Sequence, residues 1–200
     1  VKLSVCSILR ARFRSLRRGD FYAELQNMLR RCSISIVFLL ALASSLSAFQ
    51  SEWVKVAPVG GGFSIMMPGK AEEKIDPSDQ FTFHLFSVST DKTIYLAGWG
   101  DYAPSIKLDP EGELIANRDN FLKGVNAKLI DSKKITLEGR AGLEFTGESD
   151  QASFKSRVYL FGNRVHQIAV AVFKGQDDTD NVNRFFTSLS FAGNQDHPKP

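Results

Sequence analysis

Apolar residues recur at short period through most of residues 50–200, interrupted twice by stretches of helical period. Eight runs carry the strand pattern: "EWVKVAP", "GFSIMMP", "QFTFHLFSVST", "KTIYLAGWGDY", "AKLIDSKKITLE", "RAGLEFTGES", "ASFKSRVYLF" and "RVHQIAVAVFK". Asp91-Lys92, Gly139-Arg140 and Gly162-Asn163 sit between successive runs and predict hairpins. Gly162 accepts the positive φ that the first central position of a type II′ turn requires. In the last run, His166, Ile168, Val170 and Val172 fall on one side and Val165, Ala169, Ala171 and Phe173 on the other. Apolar residues on both sides predict a central strand covered above and below.

The first helical stretch, "DPEGELIANRDNFLKGV", starts with Asp109 as N-cap and Pro110 at the first helical position. At 100° per residue, Leu114, Ile115, Phe121, Leu122 and Val125 form one apolar stripe. The second, "DDTDNVNRFFTSLSF", places Val182, Phe185, Phe186 and Leu189 on one docking face. Residues 192–200 are expected to be a flexible tail. Antiparallel hairpins with one mid-chain and one terminal helix predict a single α+β domain over residues 50–191, its helices packed on a twisted sheet.

The stretch "GGGFSIMMPGKAEE" invites comparison with a phosphate-binding loop, but Ser64 stands where the first glycine belongs and Ala71 where the hydroxyl belongs. It is expected instead to be a strand from Phe63 to Met67 between a Gly60–Gly62 turn and a Pro68-Gly69 turn.

Residues 28–48 have the order of a secretory signal peptide: Arg30 and Arg31, an apolar core from Ile34 to Leu42, then small residues up to Ala48. The apolar run is shorter than the roughly 18 residues a permanent span requires. Cleavage is expected after Ala48, or after Ser47, leaving no membrane span. Residues 1–27 are expected to be either a mis-assigned upstream extension or a disordered basic segment. Export to the periplasm or beyond follows.

Removing the leader changes the charge. Residues 1–48 hold eight Lys or Arg and two acids, so the remainder has 17 basic and 20 acidic residues, a net charge of about −3. Such a domain has no electrostatic footprint for nucleic acid. Cys6 and Cys32 both lie in the leader, so the remaining chain forms no disulfide and carries no thiol nucleophile. About 150 residues suffice to build a core without covalent staples.

Chemistry-bearing patterns are sparse. There is no G-x-S-x-G elbow and no H-E-x-x-H. His84 and His166 lie in strands and are expected to be structural, and His197 stands alone. Asp177, Asp178 and Asp180 lack the glycine and glutamate of a calcium loop and suit a helix N-terminus. Two features remain as weak binding candidates. Arg118 interrupts the apolar stripe of the first helix, either as a stem packed on apolar neighbours or as a cation held for a carboxylate. In "GWGDYAP", Trp99 and Tyr102 flank Asp101 at a strand end, either as core or as aromatic faces for a partner. No catalytic, cofactor or metal residue is assigned.

The opening "WVKVAP" with "GGGFSIMMPGK", the acid-capped mid-chain helix, and "SRVYLFGNRVHQIAV" followed by "NRFFTSLSF" resemble exported bacterial domains of unknown function with the PsbP-like fold. More distantly they are similar to the PsbP extrinsic subunit of photosystem II. The resemblance covers most of residues 52–191 and implies a central antiparallel sheet flanked by helices, an α/β/α sandwich. It implies no common activity and no site residues. The expected function is a non-catalytic exported domain that docks a protein or envelope component. A carrier of a small apolar or anionic ligand, motivated by Arg118 and the sixteen Phe of the chain, is the alternative. A hydrolase with a site assembled from scattered residues is a third.

Overall fold

The computed structural model describes residues 52–78 and 80–192; the signal-like segment, the basic stretch before it and the tail from residue 193 lie outside the described residues. In chain order the elements are β1 (Trp53–Val56), β2 (Phe63–Pro68), β3 (Glu72–Asp76), β4 (Phe81–Ser89), β5 (Thr93–Tyr102), α1 (Pro110–Gly124), β6 (Lys128–Leu137), β7 (Arg140–Glu148), β8 (Ala152–Phe161), β9 (Arg164–Phe173), α2 (Thr179–Thr187) and β10 (Ser190–Phe191). A seven-stranded antiparallel sheet runs β3-β4-β5-β9-β8-β7-β6, and a three-stranded sheet runs β1-β2-β10.

Alternation along the central strands sorts the core into two. Ile94 and Leu96 of β5 and Val165, Ala169 and Ala171 of β9 face one side, with Phe145 of β7 and Phe154 of β8. Tyr95, Ala97 and Trp99 of β5 and Ile168 and Val170 of β9 face the other. The first core is closed by α1 through Leu114, Phe121 and Leu122, while Ile115 at the edge of its stripe stays exposed. The carboxylate of Asp109 accepts from Gly112 N at 3.2 Å, satisfying one of the N–H groups that a helix start leaves unpaired. The second core is closed by Phe63, Ile65 and Met67 of β2 together with Phe185, Phe186 and Leu189 around α2.

This second cover corrects the expected fold class. A helix-flanked α/β/α sandwich does not form: the protein is mostly β, with only two helices among the described residues and a second sheet facing the first. The physical reason lies in β2, whose alternate residues Phe63, Ile65 and Met67 are buried and fill the space a helix would have taken.

The hairpins follow turn chemistry. Phe161 pairs with Arg164, and Gly162 has φ 57° while Asn163 keeps a negative φ, as the type II′ pattern demands. The β6–β7 turn sits one residue earlier than the sequence suggests: Leu137 pairs with Arg140, and Glu138 and Gly139 both have positive φ (49° and 75°). Two positive φ values mark the type I′ turn, which tolerates Glu138 because the right-handed strand twist fixes the turn's hand.

The glycines of "GWG" have a packing role. The rings of Phe83 and Phe81 lie across Gly98 and Gly100, and a Cβ at Gly98 would stand 2.3 Å from the carbonyl oxygen of His84. Gly98→Ala should therefore lower stability by about 1–3 kcal/mol, read as a lower urea midpoint. Phe185 is fully buried, edge-on to Tyr95 with centroids 5.3 Å apart. Phe185→Asp should abolish the cooperative urea transition; retention of a sigmoidal transition near the wild-type midpoint would contradict this packing.

Candidate functional site

At the end of the sandwich where β7 and β9 begin and β8 ends, the two sheets part around a cleft of about 550 Å³. One wall is the turn before β2, where Gly61 N donates to Pro58 O at 3.0 Å and Gly60 takes φ 78°. The opposite wall is Arg140, Phe161, Arg164 and His166, and the β10 residues Ser190 and Phe191 with Ala192 close a third side. Strand alternation brings these side chains together. Arg164 and His166 are two apart on β9 and share the face that Phe161 and Arg140 present from the neighbouring strands.

The two arginines are held differently. Arg164 forms a bidentate pair with Asp101, its cross-strand partner, with Nε and NH2 donating at 2.6 and 2.7 Å, and its NH1 donates to Gly60 O at 2.7 Å. Arg140 stands over two rings, its guanidinium carbon 4.5 Å from the centroid of Phe191 and 5.0 Å from that of Phe161. Its NH2 donates to Ala192 O at 3.2 Å, and its NH1 stands 3.8 Å from Glu138, beyond hydrogen-bond range. Its Nε is buried and without a partner.

His166 is 5% exposed, with Nε2 2.9 Å from Gly61 O. The carbonyl can only accept, so Nε2 carries the proton and Nδ1 is a lone pair, which is buried and unpartnered. Burial first, then the charges of Arg164 and Arg140, push the imidazole down to about 4, against the bond to Gly61 and the charge of Asp101. His166 is thus neutral at pH 7 and aids the cleft by shape and polarity.

The residues singled out in the sequence are dispersed. Trp99 is buried in the second core, stacked on His84 with centroids 4.2 Å apart. Asp101, itself outside the cleft lining, anchors Arg164. Tyr102 points to the opposite face, where its hydroxyl donates to Glu113 of α1 beside a second cavity of about 440 Å³. Burial and that bond push its phenol up. Arg118 joins α1 to β6, with Nε donating to Asp119 at 2.8 Å and NH1 to Ser132 at 3.3 Å. The structure therefore links Asp101 to the cleft through Arg164 and leaves Arg118, Trp99 and Tyr102 outside it. Arg140 and Arg164 were missed, although each immediately follows a hairpin turn at the same end of the sheet and Arg164 shares a face with His166.

A second charged cluster surrounds Glu144, which pairs with Arg157 at 2.6 Å, Lys133 at 3.0 Å and Lys155 at 3.6 Å. Burial pushes its carboxyl up, but the hydrogen bonds from Arg157 and Lys133 and the charges of Lys155 and Arg157 outweigh this and hold it below its ordinary value. Asp178 accepts from Tyr95 and Asn181 rather than capping α2, and Asp177 accepts from Thr179 N at 3.0 Å. Among the described residues no three His, Cys, Asp or Glu converge to hold a metal, and no helix is long and apolar enough to cross a membrane.

No family model matches the chain, and no curated protein matches it. Among solved structures it is similar to cyanobacterial PsbP (CyanoP) from Synechocystis sp. PCC 6803, with a TM-score of 0.53 and 12% identity, over 80% of this chain and 98% of that chain. At that identity the likeness establishes the PsbP-like fold and nothing finer.

His166 ties stability to pH. Below its ordinary value of 6.5 the unfolded chain takes up a proton that the folded chain refuses until about pH 4. Stability should fall by about 3 kcal/mol as pH drops through that window. Glu144, whose folded value is lowered, adds its loss only below about pH 4.5. Urea midpoints from pH 7 to 5 should decline in the wild type and stay nearly flat in His166→Gln; parallel declines would assign the titration elsewhere.

Proposed function

We propose that this chain is an exported, non-catalytic binding domain of the bacterial envelope, which docks a protein or envelope component at the cleft end of the sandwich. The observation that carries this reading is the rim of the cleft. Val59, at the tip of the Pro58–Gly61 turn, is fully exposed, and Phe161 across the opening is 38% exposed. Exposed apolar side chains beside a cleft lined by charged groups offer a partner both apolar surface to bury and polar groups to pair with. The PsbP-like fold supports a binding role, and the signal-like order of residues 28–48 supports export.

A carrier of a small apolar or anionic ligand is the second reading, favoured by the volume of the same cleft, about 550 Å³. Two measurements test the first. Residues 28–48 fused to alkaline phosphatase lacking its own leader should give active enzyme outside the cytoplasm; activity no higher than the leaderless control would remove export. A photo-crosslinking residue at Val59 should yield a discrete adduct in the native host, and the same residue at Ile75, exposed on the distant edge strand β3, should not. Equal labelling at both positions, or none at Val59, would refute docking through the cleft.

A further inference from the structure

We propose that the cleft binds an organic carboxylate carried on an apolar body, with the carboxylate pairing to the guanidinium of Arg140. The inference rests on the reading of this end of the sandwich as the binding surface and names the group it recognises. Two cationic side chains and no acid line the cleft. Asp101 neutralises Arg164 through the bidentate pair, whereas Glu138, about half exposed and outside the lining, stands 3.8 Å from Arg140 and compensates its charge less directly.

Of the two cations, Arg140 has donor capacity to spare. Each guanidinium carries five N–H groups. Arg164 directs Nε, NH1 and NH2 at Asp101 and Gly60. Among the described residues Arg140 makes a single hydrogen bond, to Ala192 O, and its NH1 finds its nearest carboxylate oxygen at 3.8 Å. The guanidinium carbon stands over the rings of both Phe161 and Phe191, contacts that restrict the side chain before any ligand arrives. Arg140 Nε is out of reach of solvent, which leaves the terminal nitrogens for the ligand. Ser64 and Ser190, whose hydroxyls lie 3.4 Å apart on the wall, supply further donors.

The rest of the lining fixes the class of anion. Phe63, Phe161 and Val59 present apolar surface, and a volume of about 550 Å³ accommodates a body the size of a phenylalkyl group. Such walls penalise the desolvation of a phosphate dianion far more than that of a monoanionic carboxylate. The carboxylate has two sources of shared chemistry: a free small acid, or the free C-terminus of a partner chain ending in an apolar residue.

The test is an NMR titration of the isotope-labelled full chain with four probes: 3-phenylpropanoate, its primary amide, and a peptide ending in Gly-Gly-Phe with a free or an amidated terminus. At least one carboxylate probe should saturate, with shifts centred on Gly60, Arg140 and Phe191, and its amide should bind at least tenfold more weakly. Saturation by phenylpropanoate alone assigns the site to small acids, and saturation by the free peptide assigns it to chain termini. Arg140→Gln should weaken binding at least tenfold with an unchanged circular dichroism spectrum. If that variant does not fold, Val59→Asp on the exposed rim should weaken the carboxylates and spare the amides. Absence of saturable shifts up to about 10 mM for both carboxylates, equal binding of acid and amide, or shifts centred on α1 would overturn the proposal. Docking at Val59 is read separately by crosslinking, so loss of carboxylate binding with a surviving adduct sinks only the carboxylate chemistry.

Discussion

Strands β5 and β9 are apolar on both faces, and hydrogen-bonded neighbours in the middle of a sheet have no route to hide either face by themselves. Two covers are therefore obligatory, and the chain supplies two of different construction. A fifteen-residue helix lies on one face. On the other, a three-stranded sheet and the short α2 share the task. A helix closes its face along a continuous stripe, whereas a small sheet leaves its ends open. The cleft lies at such an end, where β2 begins and β10 stops.

Two of the buried polar atoms without a partner lie at the cleft. Elsewhere in the interior Ser156 donates to Ile168 O at 3.0 Å and receives Gln167 at 3.2 Å, while Thr93 Oγ1 at the start of β5 has no partner among the described residues. At the cleft, Arg140 Nε and His166 Nδ1 both lack partners. An unpaired buried donor or acceptor costs roughly 1–3 kcal/mol, so two of them a few side chains apart mark a place where packing and polar satisfaction conflict. The rings of Phe161 and Phe191 beneath the Arg140 guanidinium offset part of that cost.

Much of the seven-stranded sheet was legible because its strands either alternate or are apolar throughout. The two-sided burial of β9, the Asp109 cap and the docking face of α2 follow from spacing alone. Strand β3, "EEKID", carries no such mark: it is an edge strand with four exposed residues, held by its ladder to β4. Strand β10 is two residues long and continues the apolar period of α2, so the sequence reads it as helix end. Overlooking β10 also hid the second sheet and, with it, the true class of the fold. The site was less legible still, because Arg140 and Arg164 acquire meaning only once β10 places Phe191 and Ala192 beside them.

The pairing of β2 with β10 also orders events in time. Ser64 and Ser190 are 126 residues apart, and the amide of Met66 is satisfied by Ser188 across a similar separation. Joining such distant segments carries the full entropy of loop closure, which must be met before their contacts contribute. During vectorial emergence from a ribosome or a translocation channel, Phe63, Ile65 and Met67 are among the first greasy groups to appear and among the last to be sheltered. The half-made molecule thus keeps this apolar face exposed to water until its final turn of chain has arrived.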